Sequence, residues 1–445
     1  MAESQLRALA AEITKLADTF ASSLEENKMP EARFTPDGPI KHAGLTGEMF
    51  MTRQSLCDKL QDMWYLIQGP SESIYNYVHN VIPDAACLNI LNHFNFWTAV
   101  PMDGSASYEN IAASVSLPKD VVERVLQHAF TLRLFDQVDS DPSQVTHTAR
   151  SAALAKQSGL RALVSSVLDI TGAPMMTLHA ALEKYSKGKS ALSQEMNETA
   201  FALFHSSGPS GPKYANSWDY LENDGEGDRR GWRQKEFVEF MHYLKDIFQL
   251  EGIILNSYDW ESAGSSSVVD VGGSAGVDAF MLAQKFPNLK IVVQDLPMVE
   301  PVFNADIPEE LRGRVSFLAH DMYKPQPTEA DIYMMKMIFH DYPESECIKL
   351  LRALIPALKP GSRVIIIEYI GKVDERDANK EPMPRSIQQM GTATDLRMMA
   401  LFNAQERPAE AYKGIFKAAD ERFEVVGQKG EAISFFTAIE AIWRG

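Results

Sequence analysis

Polar side chains that could do chemistry stand just after apolar, β-branched runs in the second half of this chain. They are Asp295 after IVVQ, Asp321 with Met322, Lys336 after IYMM, His340 with Asp341, and Glu368 after VIII. In an open α/β sheet, ligands gather beyond the carboxyl ends of the strands, so residues placed this way converge on one cleft. Their types divide the work. A carboxylate can accept hydrogen bonds from a diol, and histidine is the side chain that exchanges a proton near neutral pH. Taken singly, Asp321 reads as a turn cap and Lys336 as a solvated charge. Their shared placement carries the reading.

The element that must position them is residues 265–297, SSSVVDVGGSAGVDAFMLAQKFPNLKIVVQDLP. The run Val268, Val269, Asp270, Val271 reads as a strand, Gly272 to Gly276 as a turn, and 277–286 as a helix. A second apolar run closes on Asp295, 25 residues after Asp270. That spacing suits a βαβ unit in which the turn lets a ligand approach bare backbone and Asp295 accepts from a ribose diol. An adenosine-containing ligand fits. A dinucleotide fingerprint starting at Gly272 would need glycines where Ser274 and Val277 stand, which argues against nicotinamide cofactors. A GxGxG turn fits better but lacks its central glycine. The glycines alone could equally just join strand to helix; Asp295 tips the reading toward a ligand.

At 445 residues the chain exceeds one usual core and predicts two domains with extra elements. With 45% apolar and 23% charged residues it is a globular composition. The net charge of −17 repels phosphate backbones and anionic membranes, so neither nucleic acid nor membrane is expected as a partner. Cys57, Cys87 and Cys347 offer neither a disulfide framework nor a metal spacing, and no metal is expected. The amino terminus lacks a signal-peptide core and no run approaches a membrane span, so a cytoplasmic location is expected.

Leu6, Leu9, Ile13, Leu16, Phe20 and Leu24 form one helical stripe, to be covered by the chain's own domain or by a second copy. Residues 29–48 are rich in Pro and Gly and read as a connection. Cys87, Ile90, Leu91, Phe94 and Trp97 predict one helix face, followed by a winged-helix pattern: a short helix from Ser107, a second over 121–132, and a two-stranded wing over 135–146. Lys119, Arg124 and Arg133 are nearly balanced by Asp120 and Glu123, so the module reads as a packing or dimerisation unit rather than a DNA reader. Residues 160–262 read as mostly helical. Their Tyr214, Trp218 and Tyr220 could meet a substrate or simply pack in a core. Strands are expected over 315–318, 331–335 and 364–367, and helices over 344–358 and 409–420. The runs 423–426 and 433–439 are expected to pair as an antiparallel hairpin. The fold class is α/β: a doubly wound, mostly parallel sheet behind a helical, winged-helix amino-terminal domain. The expected divisions are 1–48 (helix and linker), 49–160 (winged-helix dimerisation domain), 161–262 (helical connection contributing to the substrate pocket) and 263–445 (cofactor-binding domain).

VVDVGGSAG, QDLP, HDMY, MKMIFHDYPESECIKLLRALIPALKPGSRVIIIEYI and DLRMMALFNAQERP, in this order, resemble the small-molecule O-methyltransferases of the caffeic acid O-methyltransferase type, particularly fungal relatives in secondary metabolism. The resemblance implies a class I methyltransferase-like domain that binds S-adenosyl-L-methionine, a homodimer, and a flat aromatic or polyketide-like acceptor. It places Gly272 and Gly273 near the cofactor's methionine portion, Asp295 on the ribose, and Asp321 with Met322 beside the adenine. Lys336 would also contact the cofactor, His340 would be the catalytic base, and Glu368 and Glu406 its accompanying acids. Ser274 departs from the family glycine. Met398, Met399 and Phe402 would line the acceptor pocket or pack in the core. The chemistry agrees: a phenol's pKa near 10 makes unassisted attack through its oxyanion cost roughly 4 kcal/mol at neutral pH, which a local base offsets. Two other readings are a relative that binds the cofactor yet catalyses a dehydration or pericyclic rearrangement, and a winged-helix regulator that senses the cofactor.

Overall fold

The computed structural model describes residues 4–206, 214, 216–247, 251–370, 383–430 and 436–445. They fall into two units, one of Met1–Ala173 with Asp224–Tyr243 and Pro384–Ser386, the other of Pro174–Asn223, Leu244–Met383 and Ile387–Gly445. In the first, the helix Gln5–Glu26 packs Phe20 and Leu24 against Met49 and Phe50 of the helix Gly47–His93, and Lys59 pairs with Glu12 at 2.6 Å. The amino-terminal stripe is therefore covered within its own unit near Leu24, while Leu6 stays 44% exposed. The long helix bends at Gly69, whose φ of 75° leaves helical space, because Pro70 follows and its ring crowds the residue before it.

The apolar spacing from Cys87 to Trp97 predicts one continuous helix. Instead the long helix ends at His93, Asn95 takes a left-handed φ of 53°, and Phe96–Ala99 forms a separate turn. Leu91 and Trp97 still meet in one core, because the break re-aims Trp97 inward. Ser107 caps the helix Tyr108–Val115, accepting from the Asn110 N–H at 3.2 Å, and the helix Lys119–Thr131 follows. Strands β1 (Ser105–Ser107), β2 (Phe135–Val138) and β3 (Asp141–His147) make a small antiparallel sheet in the order β1-β3-β2. Lys119, at the start of the second helix, is paired with Glu109 and, at 3.4 Å, with Glu123, so its charge is neutralised inside the module.

The second unit holds a seven-stranded sheet in the order β6-β5-β4-β7-β8-β10-β9. Its strands are β4 (Ser267–Val271), β5 (Lys290–Asp295), β6 (Val315–Ala319), β7 (Ile332–Lys336), β8 (Arg363–Tyr369), β9 (Phe423–Gly430) and β10 (Phe436–Trp443). Neighbours among β4 to β8 are parallel, and β10 runs antiparallel between β8 and β9. Val364 to Ile367 are all fully buried, which is why these strands read as unbroken apolar runs rather than alternating ones. On the sheet, Leu350, Leu351 and Leu354 of the helix Glu344–Leu354 share a core with Tyr412, Ile415 and Phe416 of the helix Ala409–Ala419. The first of these helices stops short of the expected 358 because Pro356 sits in the 3-10 turn Ile355–Ala357. The hairpin pairs as expected, with its second strand described from Phe436; residues 433–435 of the expected run lie outside the described residues. Among the described residues, no helix is long and apolar enough to cross a membrane.

Beneath the tip of β5, the buried amides of Gln294 and Gln326 exchange two hydrogen bonds of 2.8 Å each. Gln294→Leu would leave the buried Gln326 Nε2 without its acceptor, while its Oε1 keeps the Thr328 N–H at 3.0 Å. It should lower stability by about 1–3 kcal/mol in urea unfolding of the full chain. An unchanged unfolding midpoint would show that the pair contributes nothing.

Candidate active site

The glycine turn is shaped by what cannot fit in it. A Cβ on Gly272, where φ is 70°, would come within 2.6 Å of Ile338 Cδ1, and one on Gly273 within 2.5 Å of Asp270 Oδ2. Ser274, at the position where a glycine is usual, adopts a left-handed φ of 51°, a region that non-glycine residues seldom enter. Its N–H donates to Asp295 Oδ2 at 2.8 Å, and the Leu296 N–H donates to Oδ1 at 2.7 Å. These bonds fasten the tip of β5 to the turn and leave each carboxylate oxygen with further acceptor capacity. Burial pushes the Asp295 carboxyl up, against the pull of those two N–H groups. Bare backbone beside a carboxylate with unused lone pairs fits a ligand carrying a vicinal diol.

Lys336, at the end of β7, is not a solvated charge. Its ammonium pairs with Asp278 in the first turn of the helix Val277–Lys285, and Lys245 reaches the other Asp278 oxygen at 2.8 Å. Burial works against the Asp278 charge, but Lys336 and Lys245 hold its carboxyl down at about 2. Burial, followed by the nearby Asp278 charge, pushes Asp270 up to about 7. Sequence reasoning missed Asp278 and Lys245: an acid in a first helical turn reads as a cap, and only folding brings Lys245 to it. After β6, Asp321 is exposed and accepts from the Tyr323 N–H at 3.0 Å, while Met322 packs against the sheet core.

Past β7, Met337 turns the chain with a left-handed φ of 53° into the short turn Phe339–Asp341 that carries His340. Glu368, fully buried on β8, accepts at Oε1 from the N–H groups of Ile338 and Phe339, at 3.0 and 2.6 Å. Glu406 Oε1 lies 3.0 Å from His340 Nδ1, and Asp341 Oδ1 lies 3.6 Å from Nε2. The two acids expected beside the histidine thus have different partners: Glu406 meets the ring, and Glu368 holds the backbone beneath it. Asp341 is the acid nearest the other ring nitrogen, and only its adjacency to His340 hinted at this. Glu406 itself is placed by the Asp395 carboxylate, which accepts its N–H at 2.8 Å.

Burial alone would lower the His340 pKa, but the neighbouring Asp341 and Glu406 carboxylates raise it to about 10. Burial pushes Asp341 up to about 6 and Glu368 to about 7, with His340 opposing both shifts. A ring whose Nδ1 is tied to a carboxylate presents Nε2 as the nitrogen that can exchange a proton with a ligand. Met398 and Phe402 are buried and Met399 is half-buried on the helix Arg385–Phe402; the Phe402 ring stacks on Trp218 at 5.2 Å. Tyr214 and Tyr220 pack edge to face at 4.9 Å, each also against His205.

Residues 225–421 match the O-methyltransferase domain family. An O-methyltransferase of Purpureocillium lilacinum, lcsG, is 41% identical over 425 residues, covering 95% of this chain and 90% of that one. Two solved structures share the fold. OxaC in complex with sinefungin and meleagrin superposes with a TM-score of 0.73 at 19% identity, covering 97% of this chain and 99% of that one. A structure described as a pericyclic reaction enzyme gives 0.68 at 19% identity, covering 89% and 95%. The sheet order, the glycine turn and the strand-tip acid define a class I methyltransferase unit. The chain belongs to the O-methyltransferase family, and S-adenosylmethionine is its methyl donor.

With its pKa raised, His340 should remain an imidazolium at pH 8 in the ligand-free protein and titrate near 10. Nitrogen-15 NMR of histidine-labelled protein, assigned with His340→Gln, reads this directly. A midpoint near the ordinary value of about 6.5 would contradict the electrostatics described above.

Proposed function

We propose that the acceptor is a phenolic hydroxyl on a flat, hydrophobic small molecule of secondary metabolism, aromatic or polyketide-like, and that His340 removes its proton. The observation that carries this reading is the contact of His340 Nδ1 with Glu406 at 3.0 Å, which leaves Nε2 as the proton port. Burial and three acids around one imidazole support a base far stronger than free histidine. A pKa raised toward that of a phenol makes transfer from the hydroxyl to Nε2 less uphill than transfer to a free histidine. The neutral-imidazole and phenol pair carries the same protons as the imidazolium and phenolate pair, so the complex moves between them without exchange with water. Glu406 stabilises the imidazolium as it forms, and Glu368 keeps the turn in place.

S-adenosylmethionine, when bound, supplies a methyl group already activated on a sulfonium. The chain's task is to orient and to exclude water. Asp295 would hold the ribose hydroxyls, Gly272 and Gly273 would admit the methionine portion, and Asp321 with Met322 would flank the adenine. Lys336, steadied by Asp278, would sit at the methionine end. Met398, Met399 and Phe402 would line the acceptor side, an apolar surface suited to a flat ring. The meleagrin bound by OxaC supports a small-molecule acceptor.

Incubating candidate phenols with the enzyme and methyl-deuterated S-adenosylmethionine, then weighing the products by mass spectrometry, tests the acceptor class. One labelled methyl per phenol is the expected product; substrate consumed without label would overturn it. His340→Ala should lower turnover by roughly 10²- to 10⁴-fold while leaving cofactor affinity nearly intact, and Asp295→Ala should instead weaken cofactor binding in calorimetry. Wild-type behaviour of either variant would reject the role given to that residue.

We also infer a homodimer formed through the first unit. Trp64 and Ile67 before the bend of the helix Gly47–His93, and Ile74 and Val78 after it, are large apolar side chains left 61 to 66% exposed on one helix. A second copy of this chain is their natural cover. Light scattering should give twice the chain mass, and the double change Ile74→Glu with Val78→Glu should give a folded monomer. A monomeric wild-type protein would contradict it.

A further inference from the structure

We propose that Arg407 is a positioning residue for the proton transfer, gripping the His340 turn by its carbonyls while Glu368 grips it by its N–H groups. The inference rests on the reading of His340 as the base. Arg407 is only 1% exposed. Its Nη1 donates to the Phe339 carbonyl at 2.6 Å and, more weakly, to the Gln405 carbonyl at 3.4 Å; its Nη2 donates to the Tyr342 carbonyl at 2.7 Å. Phe339 and Tyr342 are the two residues that bracket His340 and Asp341. A planar guanidinium has its donors at fixed separation, so bonding both carbonyls sets the distance across the turn that carries the imidazole.

Glu368 completes the frame. Its Oε1 takes the Ile338 and Phe339 N–H groups, so the amide nitrogen of Phe339 is tied to a carboxyl oxygen and its carbonyl to a guanidinium. The Cys347 thiol reaches the same two carbonyls only at 3.4 and 3.5 Å, and a thiol is a weak donor. A guanidinium withdrawn from water is costly, and here the backbone carbonyls of Phe339, Tyr342 and Gln405 take up its Nη donors. Chain connectivity adds a second constraint. Arg407 directly follows Glu406, so one dipeptide holds both the ring, through Nδ1, and the turn from which the ring projects. Loosening the turn would let Nε2 drift while the cofactor cradle at Asp295 stays in place.

The test is a double-mutant comparison on the full chain with a tritiated methyl donor. It uses Arg407→Lys, which keeps the charge but not the fork, Arg407→Gln, His340→Ala, and each Arg407 change combined with His340→Ala. Rates are normalised to active sites counted by cofactor titration. Either Arg407 change alone should lower kcat on the order of 10²-fold, the scale of a displacement of about 1 Å, with cofactor affinity and acceptor KM nearly unchanged. In the His340→Ala background the same change should cost nothing further, since a group that acts only through the imidazole has nothing left to position. The proposal is overturned if the loss recurs by the same factor without His340, if cofactor affinity falls in step with kcat, or if both Arg407 changes leave kcat intact. Full turnover by His340→Ala alone would instead remove the reading of His340 on which the proposal stands.

Discussion

Three carboxylates and one imidazole share a dry space at the ends of β7 and β8, and each is tolerated only because the others are there. A buried carboxylate without a partner gives up its charge, and Glu368 and Asp341 are indeed pushed toward neutrality. A buried imidazole without one stays uncharged, whereas His340 is driven the other way. The cluster therefore holds a proton tightly on the imidazole. Everything around it serves to keep that ring fixed: the left-handed Met337 that starts the turn, the Glu368 carboxylate below it, and the segment that delivers Glu406.

The cluster around Asp278 follows the same logic with opposite signs. Asp278 keeps its charge because Lys336 and Lys245 embrace it, while Asp270 beneath Gly273 is pushed up. The two clusters lie at the tips of neighbouring strands, since β7 pairs with both β4 and β8. The parallel sheet fixes Lys336 and Glu368 directly, while the turn Phe339–Asp341 and the segment carrying Glu406 bring the remaining groups to the strand tips. The fold alone does not decide the reaction, because a pericyclic reaction enzyme shares it.

Much of this was legible in the sequence, for identifiable reasons. The parallel strands were readable because full burial makes them unbroken apolar runs, and the tip residues Asp295, Lys336, His340 and Glu368 follow from where those runs end. The division of labour between Glu368 and Glu406 was not readable. A carboxylate that meets a ring and one that meets two backbone N–H groups look alike until the turn between them is drawn. Lys245 and Asp278 were missed because their pairing joins distant parts of the chain, and the break at Asn95 because one residue's left-handed conformation left the apolar spacing intact. The amino-terminal stripe admitted two covers, and its own unit supplies at least one of them near Leu24.

The central claim is that His340, strengthened by its acids, accepts the acceptor's proton. The dependence of kcat/KM on pH tests it most directly, using a phenol of ordinary acidity and saturating methyl donor. A base with a raised pKa must first lose its own proton, so kcat/KM should climb by about tenfold per pH unit from pH 7 to 9 and level off only near 10. A profile that is already flat at pH 7, with its inflection near that of free histidine, would contradict the account.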